Sequence, residues 1–153
     1  MTTYIDSSAL VPVYVPERFS IVAREVLRGV PQVPYTPLHE LEVSNAFALL
    51  EGKRLITAEE RRAIRTQLKD DVDAQRLVPV PPDWTGVFAI ACELSEAHTS
   101  RLLTRSLDLI HVATARALNC RVFVSADDRQ LAVAKAAGLA VVDIKKRPRS
   151  GRR

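Results

Sequence analysis

The sequence predicts an α/β domain of three layers, with helices on both faces of a central, mostly parallel, five-stranded sheet. Short apolar runs alternate along the chain with longer segments of helical periodicity, which is typical of parallel sheets. The 153 residues are the length of one ordinary domain, and no repeat or linker divides them. We therefore expect a single domain over residues 1–144, followed by a basic tail at residues 145–153.

Five short apolar runs predict the strands. Pro34 and Pro79 lie in two of these runs and favour sheet edges or strand ends, because proline donates no backbone hydrogen bond. The predicted strands cover residues 4–5, 33–35, 77–80, 122–124 and 140–142.

Helical signals fill the intervals between the strands. Thr36 and Pro37 are a cap residue and a proline at the first helical position. Thr57 and Glu60 have the spacing of a capping box, and Gly138 is a typical helix end. The predicted helices cover residues 19–28, 37–51, 57–75, 83–97, 107–118 and 128–137.

Composition excludes several protein classes. A hydrophobic fraction of 47%, 26% charged residues and only 5 glycines exclude collagen-like, low-complexity and wholly disordered chains. No apolar run approaches the length of a membrane span and the first residues do not resemble a signal peptide, so we expect a cytoplasmic protein without membrane contact. Cys92 and Cys120 lack metal-ligand spacing and are predicted to be core residues.

The net charge of +4 is concentrated at the C-terminus. Six of the 22 basic residues lie in the last nine positions, which leaves residues 1–144 mildly acidic. Two interpretations of this tail stay open, a solvated terminus and an arm that seeks phosphate groups. Arg61, Arg65 and Lys69 repeat at helical spacing and are predicted to be a solvated helix face.

Acidic residues follow two of the predicted strands. Asp6 comes directly after the first strand, and Asp127 and Asp128 come just after the fourth. Ligands of parallel sheets bind beyond the carboxyl ends of the strands, so these carboxylates are expected at one functional edge. Taken singly, each of them could instead be a helix cap or a turn residue.

Two further acids lie within predicted helices. Glu42 interrupts an apolar stripe at positions 38, 42, 45 and 49, so it needs a metal or a basic side chain as partner. Asp108 follows Ser106, a candidate helix cap. His111, one turn later, is interpreted as a packed histidine, because no second histidine or cysteine has ligand spacing.

Together the four acids indicate a divalent cation. Carboxylates around one crevice repel each other, and cations between them relieve that repulsion. Ligand sets made only of oxygen suit Mg²⁺ or Mn²⁺. Such sites are typical of phosphate-ester chemistry.

Four motifs carry a resemblance to PIN-domain ribonucleases, and the size of the chain is similar to VapC toxins of bacterial toxin–antitoxin pairs. The motifs are residues 4–10 (YIDSSAL), 41–47 (LEVSNAF), 106–115 (SLDLIHVATA), and 124–131 (VSADDRQL) continuing into 137–139 (AGL). The resemblance implies a PIN-like fold and an Mg²⁺-dependent endoribonuclease, with Mn²⁺ as a possible substitute, that hydrolyses RNA phosphodiester bonds with metal-activated water. It also implies a cognate VapB-type antitoxin and a homodimer.

Carried over by motif, the resemblance implies that Asp6 and Asp108 are the principal metal ligands, Glu42 the second acid and Asp127 the fourth. Asp128 could share or replace the role of Asp127. These acids are both the catalytic and the metal-binding candidates.

Two alternatives stay open. The first is a PIN-like RNA- or protein-binding module without nuclease activity, although the presence of all four acids argues against it. The second is an unrelated doubly wound enzyme. Position 8 is Ser8 where an aspartyl-phosphate phosphatase needs a second aspartate, and residues 7–9 lack the glycines of a dinucleotide-binding turn.

Overall fold

The computed structural model describes residues 1–146. The strands are β1 (Thr3–Ile5), β2 (Val33–Tyr35), β3 (Leu77–Pro79), β4 (Val122–Ser125) and β5 (Ala140–Asp143). The helices are α1 (Ser7–Tyr14), α2 (Ser20–Arg28), α3 (Pro37–Gly52), α4 (Ala58–Asp73), α5 (Trp84–Leu94), α6 (Ser100–Leu102), α7 (Ser106–Ala117) and α8 (Asp128–Ala136). One π-helical turn, Ser95–Thr99, joins α5 to α6. All five predicted strands and the α/β fold class are confirmed.

The strands are parallel within each of two ladders, and the contacts between β1 and β2 place the ladders side by side in the order β3-β2-β1-β4-β5. Hydrogen bonds join β1, β4 and β5 into one ladder and β2 and β3 into another, with β1 beside β2. In β2, Val33 donates to the Arg76 carbonyl and Tyr35 accepts from Val80, so both residues bond on the β3 side. Pro34 between them faces β1 and has no N–H to donate. This proline therefore removes one hydrogen-bond donor from β2 on the side away from β3, where no ladder forms.

The alternation of side chains along β1 and β4 separates two hydrophobic cores, which gives the three layers. Ile5 and Val124 face the core formed with α1, α2, α3 and α4. Tyr4 and Phe123 face the core formed with α5, α7 and α8. The carboxyl ends of β1 and β4 lie between these layers, and the candidate acids follow them.

The caps predicted at Thr36 and Thr57 are present. Thr57 accepts from the Glu60 N–H (3.0 Å), and the Glu60 carboxylate accepts from the Thr57 N–H (2.8 Å). Gly138 follows the end of α8 and has a φ of +87°, a conformation that other residues rarely adopt. No helix within residues 1–146 is long and apolar enough to cross a membrane.

Two details differ from expectation, and one prediction is not tested. Helix α1 is not predicted from the sequence, because it is short, has apolar residues on all sides and contains Pro12. Cys92 is exposed and not a core residue, because it lies on the outer face of α5, whereas Cys120 is buried as predicted. The basic tail falls outside the described residues from Arg147 onward.

Helix α3 buries a different face from the predicted stripe. The buried side chains are His39, Val43 and Phe47, while Leu49 of the predicted stripe is 52% exposed. Exposed leucines leave α3 apolar on more than one side, so periodicity alone does not identify its core face. Glu42 therefore lies at the margin of the core and not inside it.

His39 links α3 to the end of β1 and makes stability depend on pH. Its Nε2 donates to the Ile5 carbonyl (2.9 Å), and its Nδ1 accepts from the Thr36 N–H (3.1 Å). Burial, reinforced by the neighbouring His111, lowers the pKa of His39 from 6.5 to about 3. The folded protein therefore binds fewer protons than the unfolded chain between these two pH values, and stability falls as the pH drops through this window.

We expect His39→Gln to reduce this pH dependence, because the amide keeps a donor for the Ile5 carbonyl and does not titrate. A single histidine contributes at most about 1.4 kcal/mol per pH unit. Urea unfolding at pH 7, 6 and 5 measures the slope in both proteins. An equally steep decline in His39→Gln would show that other groups cause the acid sensitivity.

Candidate functional site

Asp6 lies at the point where β1 ends and α1 begins, and it is fully buried. Its Oδ1 accepts from the Ala9 N–H (3.0 Å) and the Ser8 hydroxyl (2.7 Å), and its Oδ2 accepts from the Ser125 hydroxyl (2.5 Å). Burial raises the pKa of Asp6, and the electrostatic influence of the neighbouring His111 and these hydrogen bonds only partly offset it. Asp6 is both a helix cap and a candidate ligand, so the two interpretations of its position are compatible.

Two serines join Asp6 to the turn that carries Asp127. Ser125 Oγ accepts from the Asp127 N–H (2.9 Å) while it donates to Asp6. Ser8 Oγ accepts from the Ala126 N–H (2.9 Å) and donates to the other oxygen of Asp6. The carboxyl ends of β1 and β4 are thus connected by side chains as well as by the strand ladder.

Glu42 is held by a histidine. His111 Nε2 forms a hydrogen bond with Glu42 Oε1, and the Ser7 hydroxyl donates to the same oxygen (3.1 Å). The Glu42 side chain is 28% exposed. Partial burial acts to raise the pKa of Glu42, but the contacts with His111 and Ser7 outweigh it and lower the pKa. The sequence predicts a metal or a basic side chain as the partner of Glu42, and in this structure His111 is a partner of the second kind.

Asp108 is buried in the first turn of α7 and caps that helix. Its Oδ2 accepts from the Arg105 N–H (3.1 Å), and Arg105 Nε lies 3.7 Å from the same oxygen. The cap position is occupied by Arg105 and not by Ser106, which is the first helical residue. The carboxylate of Asp108 performs the capping that was expected of the Ser106 side chain.

The two neighbouring aspartates Asp127 and Asp128 have different environments. Asp127 caps α8, since its Oδ1 accepts from the N–H groups of Arg129 (2.9 Å) and Gln130 (3.0 Å). Asp128 is exposed and pairs with Lys145 Nζ at 2.7 Å, which lowers its pKa. Asp127 is connected to Asp6 through Ser125, and Asp128 is connected to the beginning of the basic tail.

A short hydrogen-bonded path connects two of the four candidate acids, and one helix relates the other two. Ser125 links Asp6 to Asp127, and α7 carries both Asp108 and the histidine that binds Glu42. Within residues 1–146, however, no three histidine, cysteine, aspartate or glutamate side chains are placed to hold one metal ion. The carboxylates are instead occupied by serine, histidine and backbone donors.

The donor chemistry still fits a hard divalent cation. Among the four candidate acids, three carboxylate oxygens have no hydrogen bond within residues 1–146: Glu42 Oε2, Asp108 Oδ1 and Asp127 Oδ2. Oxygen donors of this kind suit Mg²⁺ and Mn²⁺. One cation could be held by several of them only after side-chain movements that bring the carboxylates closer together.

A groove of about 680 Å³ lies between α3, α4 and the ends of β2 and β3. Arg65 and Lys69 line it, together with Glu40 and Ser44, and none of the four acids does. Lys69 also pairs with Asp73, and Arg61 pairs with Glu51, so two of the three basic residues predicted to form a solvated face have acidic partners.

Sequence reasoning did not assign Ser7, Ser8 and Ser125 to the site, and it interpreted His111 only as a packed residue. His111 is indeed 1% exposed, but it also binds Glu42. The two residues are 69 positions apart, and Ser125 is 119 positions from Asp6. The serines did lie within the four motifs, directly beside the acids, which was the available signal.

Solved structures share this fold at low sequence identity. FitAcB from Neisseria gonorrhoeae superposes with a TM-score of 0.68 at 15% identity, covering 95% of this chain and 99% of that chain. FitAB bound to an IR36 DNA fragment superposes with a TM-score of 0.70 at 16% identity, covering 98% of this chain and 100% of that chain. PAE2754 from Pyrobaculum aerophilum superposes with a TM-score of 0.60 at 19% identity, covering 95% of this chain and 90% of that chain.

Comparison with curated proteins gives no significant match. The model of one protein family does match, over residues 3–136. That span begins at β1, ends at the last residue of α8 and contains Asp6, Glu42, Asp108 and Asp127. The chain belongs to the PIN domain family.

Proposed function

We propose that this protein is the toxin of a toxin–antitoxin pair and acts as an Mg²⁺-dependent endoribonuclease in the cytoplasm. The observation that carries this proposal is the PIN domain match, which spans all four motif acids. PIN domains are generally nucleases that use divalent metals. The site that we assign to this activity consists of Asp6, Glu42, Asp108 and Asp127.

The four acids contribute to the proposed cation site in different ways. Asp6 is the fixed member, because Ser8 and Ser125 hold both of its oxygens. Glu42, Asp108 and Asp127 each offer one oxygen without a hydrogen bond in residues 1–146. A bound Mg²⁺ supplies the activation of water and the stabilisation of the leaving oxygen of the RNA.

Burial makes Asp6 sensitive to the presence of a cation. Its raised pKa shows that the charged carboxylate is disfavoured in the surroundings that it has here. A cation beside Asp6 compensates that charge and offsets the cost of burying it. The same compensation reduces the repulsion between Asp6 and the other acids.

A VapB-type antitoxin is the proposed partner of this chain, and the toxin is proposed to form a homodimer. Support for an assembly comes from FitAB, a similar structure that was solved bound to a DNA fragment. Coexpression with the product of an adjacent small reading frame, followed by copurification and a growth assay, tests the antitoxin. Sedimentation of the purified chain tests the dimer.

A second candidate function is an RNA- or protein-binding module without nuclease activity. The observation that favours it is that no three candidate ligand side chains in residues 1–146 are placed around one cation. The deciding experiment incubates the purified protein with RNA and Mg²⁺ or Mn²⁺. Cleavage that EDTA abolishes supports the nuclease, whereas RNA binding without cleavage supports the module.

The basic tail is proposed to help capture RNA. Lys145 pairs with Asp128 beside the candidate site, so the tail begins next to the acids. The segment after Lys146 contains four arginines and no acid. Each phosphate contact that is lost reduces the release of counterions when RNA binds.

Removing residues 147–153 should weaken RNA binding and flatten its dependence on salt. For four arginines on single-stranded RNA, the slope of the logarithm of the binding constant against the logarithm of the salt concentration should fall in magnitude by up to about 3. Binding titrations at several salt concentrations measure this slope, and a chain of full length with its four tail arginines replaced by serine separates charge from length. An unchanged slope in both variants would identify the tail as a solvated terminus.

A further inference from the structure

A chain of buried hydrogen bonds leads from the core to Glu42. The Tyr4 hydroxyl lies 2.8 Å from His111 Nδ1, and His111 Nε2 binds Glu42 Oε1. Tyr4 is fully buried and His111 is 1% exposed, so solvent does not compete for the contact between them, whereas the contact of His111 with Glu42 is partly buried. The motif acids alone do not require this chain, and nothing in the proposed chemistry has used it.

The direction of the hydrogen bonds follows from the groups involved. The Tyr4 ring stacks on Phe123, with centroids 5.5 Å apart and planes within 9° of parallel. A tyrosine phenol carries its proton at neutral pH, so the Tyr4 O–H donates to His111 Nδ1. The imidazole proton then lies on Nε2 and is donated to the Glu42 carboxylate.

These hydrogen bonds determine which oxygen of Glu42 is available. Oε1 accepts from both His111 and Ser7. Oε2 carries no hydrogen bond among the described residues, and the side chain is 28% exposed. The Glu42 carboxylate is thus fixed on one side and open on the other.

We propose that Tyr4 and His111 are positioning residues, which hold Glu42 Oε1 so that Oε2 faces a divalent cation. This inference rests on the proposed function in one respect, namely that Glu42 is a metal ligand. Partners that hydrogen-bond to a metal ligand orient it and typically change metal affinity by about 10- to 100-fold. His111 lies one turn after Asp108 on α7, so one helix supplies a ligand and the support for another ligand.

The test measures Mn²⁺ affinity by calorimetry on the purified full chain, without RNA. We expect His111→Leu to weaken Mn²⁺ binding by about 10- to 100-fold. His111→Gln should recover much of the affinity, because its amide can donate to Glu42. Tyr4→Phe keeps the ring and should cause a smaller loss in the same direction. His98→Gln is the matched control, because the hydrogen bond of His98 goes to Arg101.

A double mutant distinguishes positioning from a general structural effect. If His111 acts only through Glu42, adding His111→Leu to Glu42→Gln should weaken Mn²⁺ binding no further. Circular dichroism and the melting temperature establish that each variant is folded. If His111→Leu does not fold, Tyr4→Phe and His111→Gln carry the test.

Two results would overturn this inference. The first is that folded His111→Leu binds Mn²⁺ as tightly as the wild type. If His111→Leu does not fold, the same result for Tyr4→Phe counts instead. The other is an equal loss in the Glu42→Gln background. If the wild type still cleaves RNA in either case, the proposed function stands. A wild type that neither binds Mn²⁺ nor cleaves RNA overturns both proposals.

Discussion

Asp6→Asn and Asp108→Asn should each abolish RNA cleavage, with a loss of at least about 100-fold, and should remove growth inhibition in cells. Asparagine keeps the shape of the side chain and removes the negative charge that a divalent cation needs. Asp73→Asn is the control, because Asp73 is exposed on α4 and pairs with Lys69. Full toxicity of both site variants at matched expression would contradict the site assignment.

The stability of Asp6→Asn distinguishes a lost ligand from a damaged fold. Because the folded pKa of Asp6 is raised, the ionised carboxylate destabilises the folded state at neutral pH. Without metal, the variant should melt at the same temperature as the wild type or slightly higher. Adding Mn²⁺ should raise the melting temperature of the wild type but not that of the variant. A large drop in the metal-free melting temperature would attribute the lost activity to misfolding.

The same measurements determine whether Asp127 or Asp128 is the fourth acid of the proposed site. Asp127 is connected to Asp6 through Ser125, whereas Asp128 is exposed and pairs with Lys145. The loss of cleavage should therefore be found in Asp127→Asn and not in Asp128→Asn. The opposite result would transfer the fourth position to Asp128.

Features set by local sequence could be predicted well. Each strand is a short apolar run bounded by turn or cap residues, and Asp6 and Asp127 follow their strands directly. Their arrival at one edge of the sheet then follows from parallel strands alone. The Thr57 capping box is equally local, since both of its hydrogen bonds span three residues.

Features set by tertiary packing could not be predicted. Helix α3 has leucines on several sides, so the sequence did not show that His39, Val43 and Phe47 form its core face. The partner of Glu42 belongs to α7, and the serine that binds Asp6 Oδ2 belongs to β4. Neither contact has a sequence spacing that reveals it. The acids of the candidate site were thus visible in the sequence, whereas the groups that hydrogen-bond to them were not.

The purified protein should lose all cleavage in EDTA and regain it when Mg²⁺ or Mn²⁺ is added in excess. The candidate site offers carboxylate oxygens, which bind these cations, and no free pair of histidines to act as acid and base. His39 donates to the Ile5 carbonyl, and His111 lies between Tyr4 and Glu42. Zn²⁺ at matched concentration is a useful comparison, because it prefers nitrogen and sulfur ligands.

The ends of the RNA products report which nucleophile attacks the phosphorus. Water activated by a metal gives a 5′-phosphate and a 3′-hydroxyl. A metal-independent ribonuclease uses the 2′-hydroxyl of the RNA instead and leaves a cyclic phosphate, for which it needs a base beside that hydroxyl. Both histidines near the acids are buried and already hydrogen-bonded, so neither is placed to serve as that base. Ligation and phosphatase treatment of the cleaved ends separate the two outcomes. Cyclic phosphates, or cleavage that persists in chelator, would show that the fold is right and the proposed chemistry wrong.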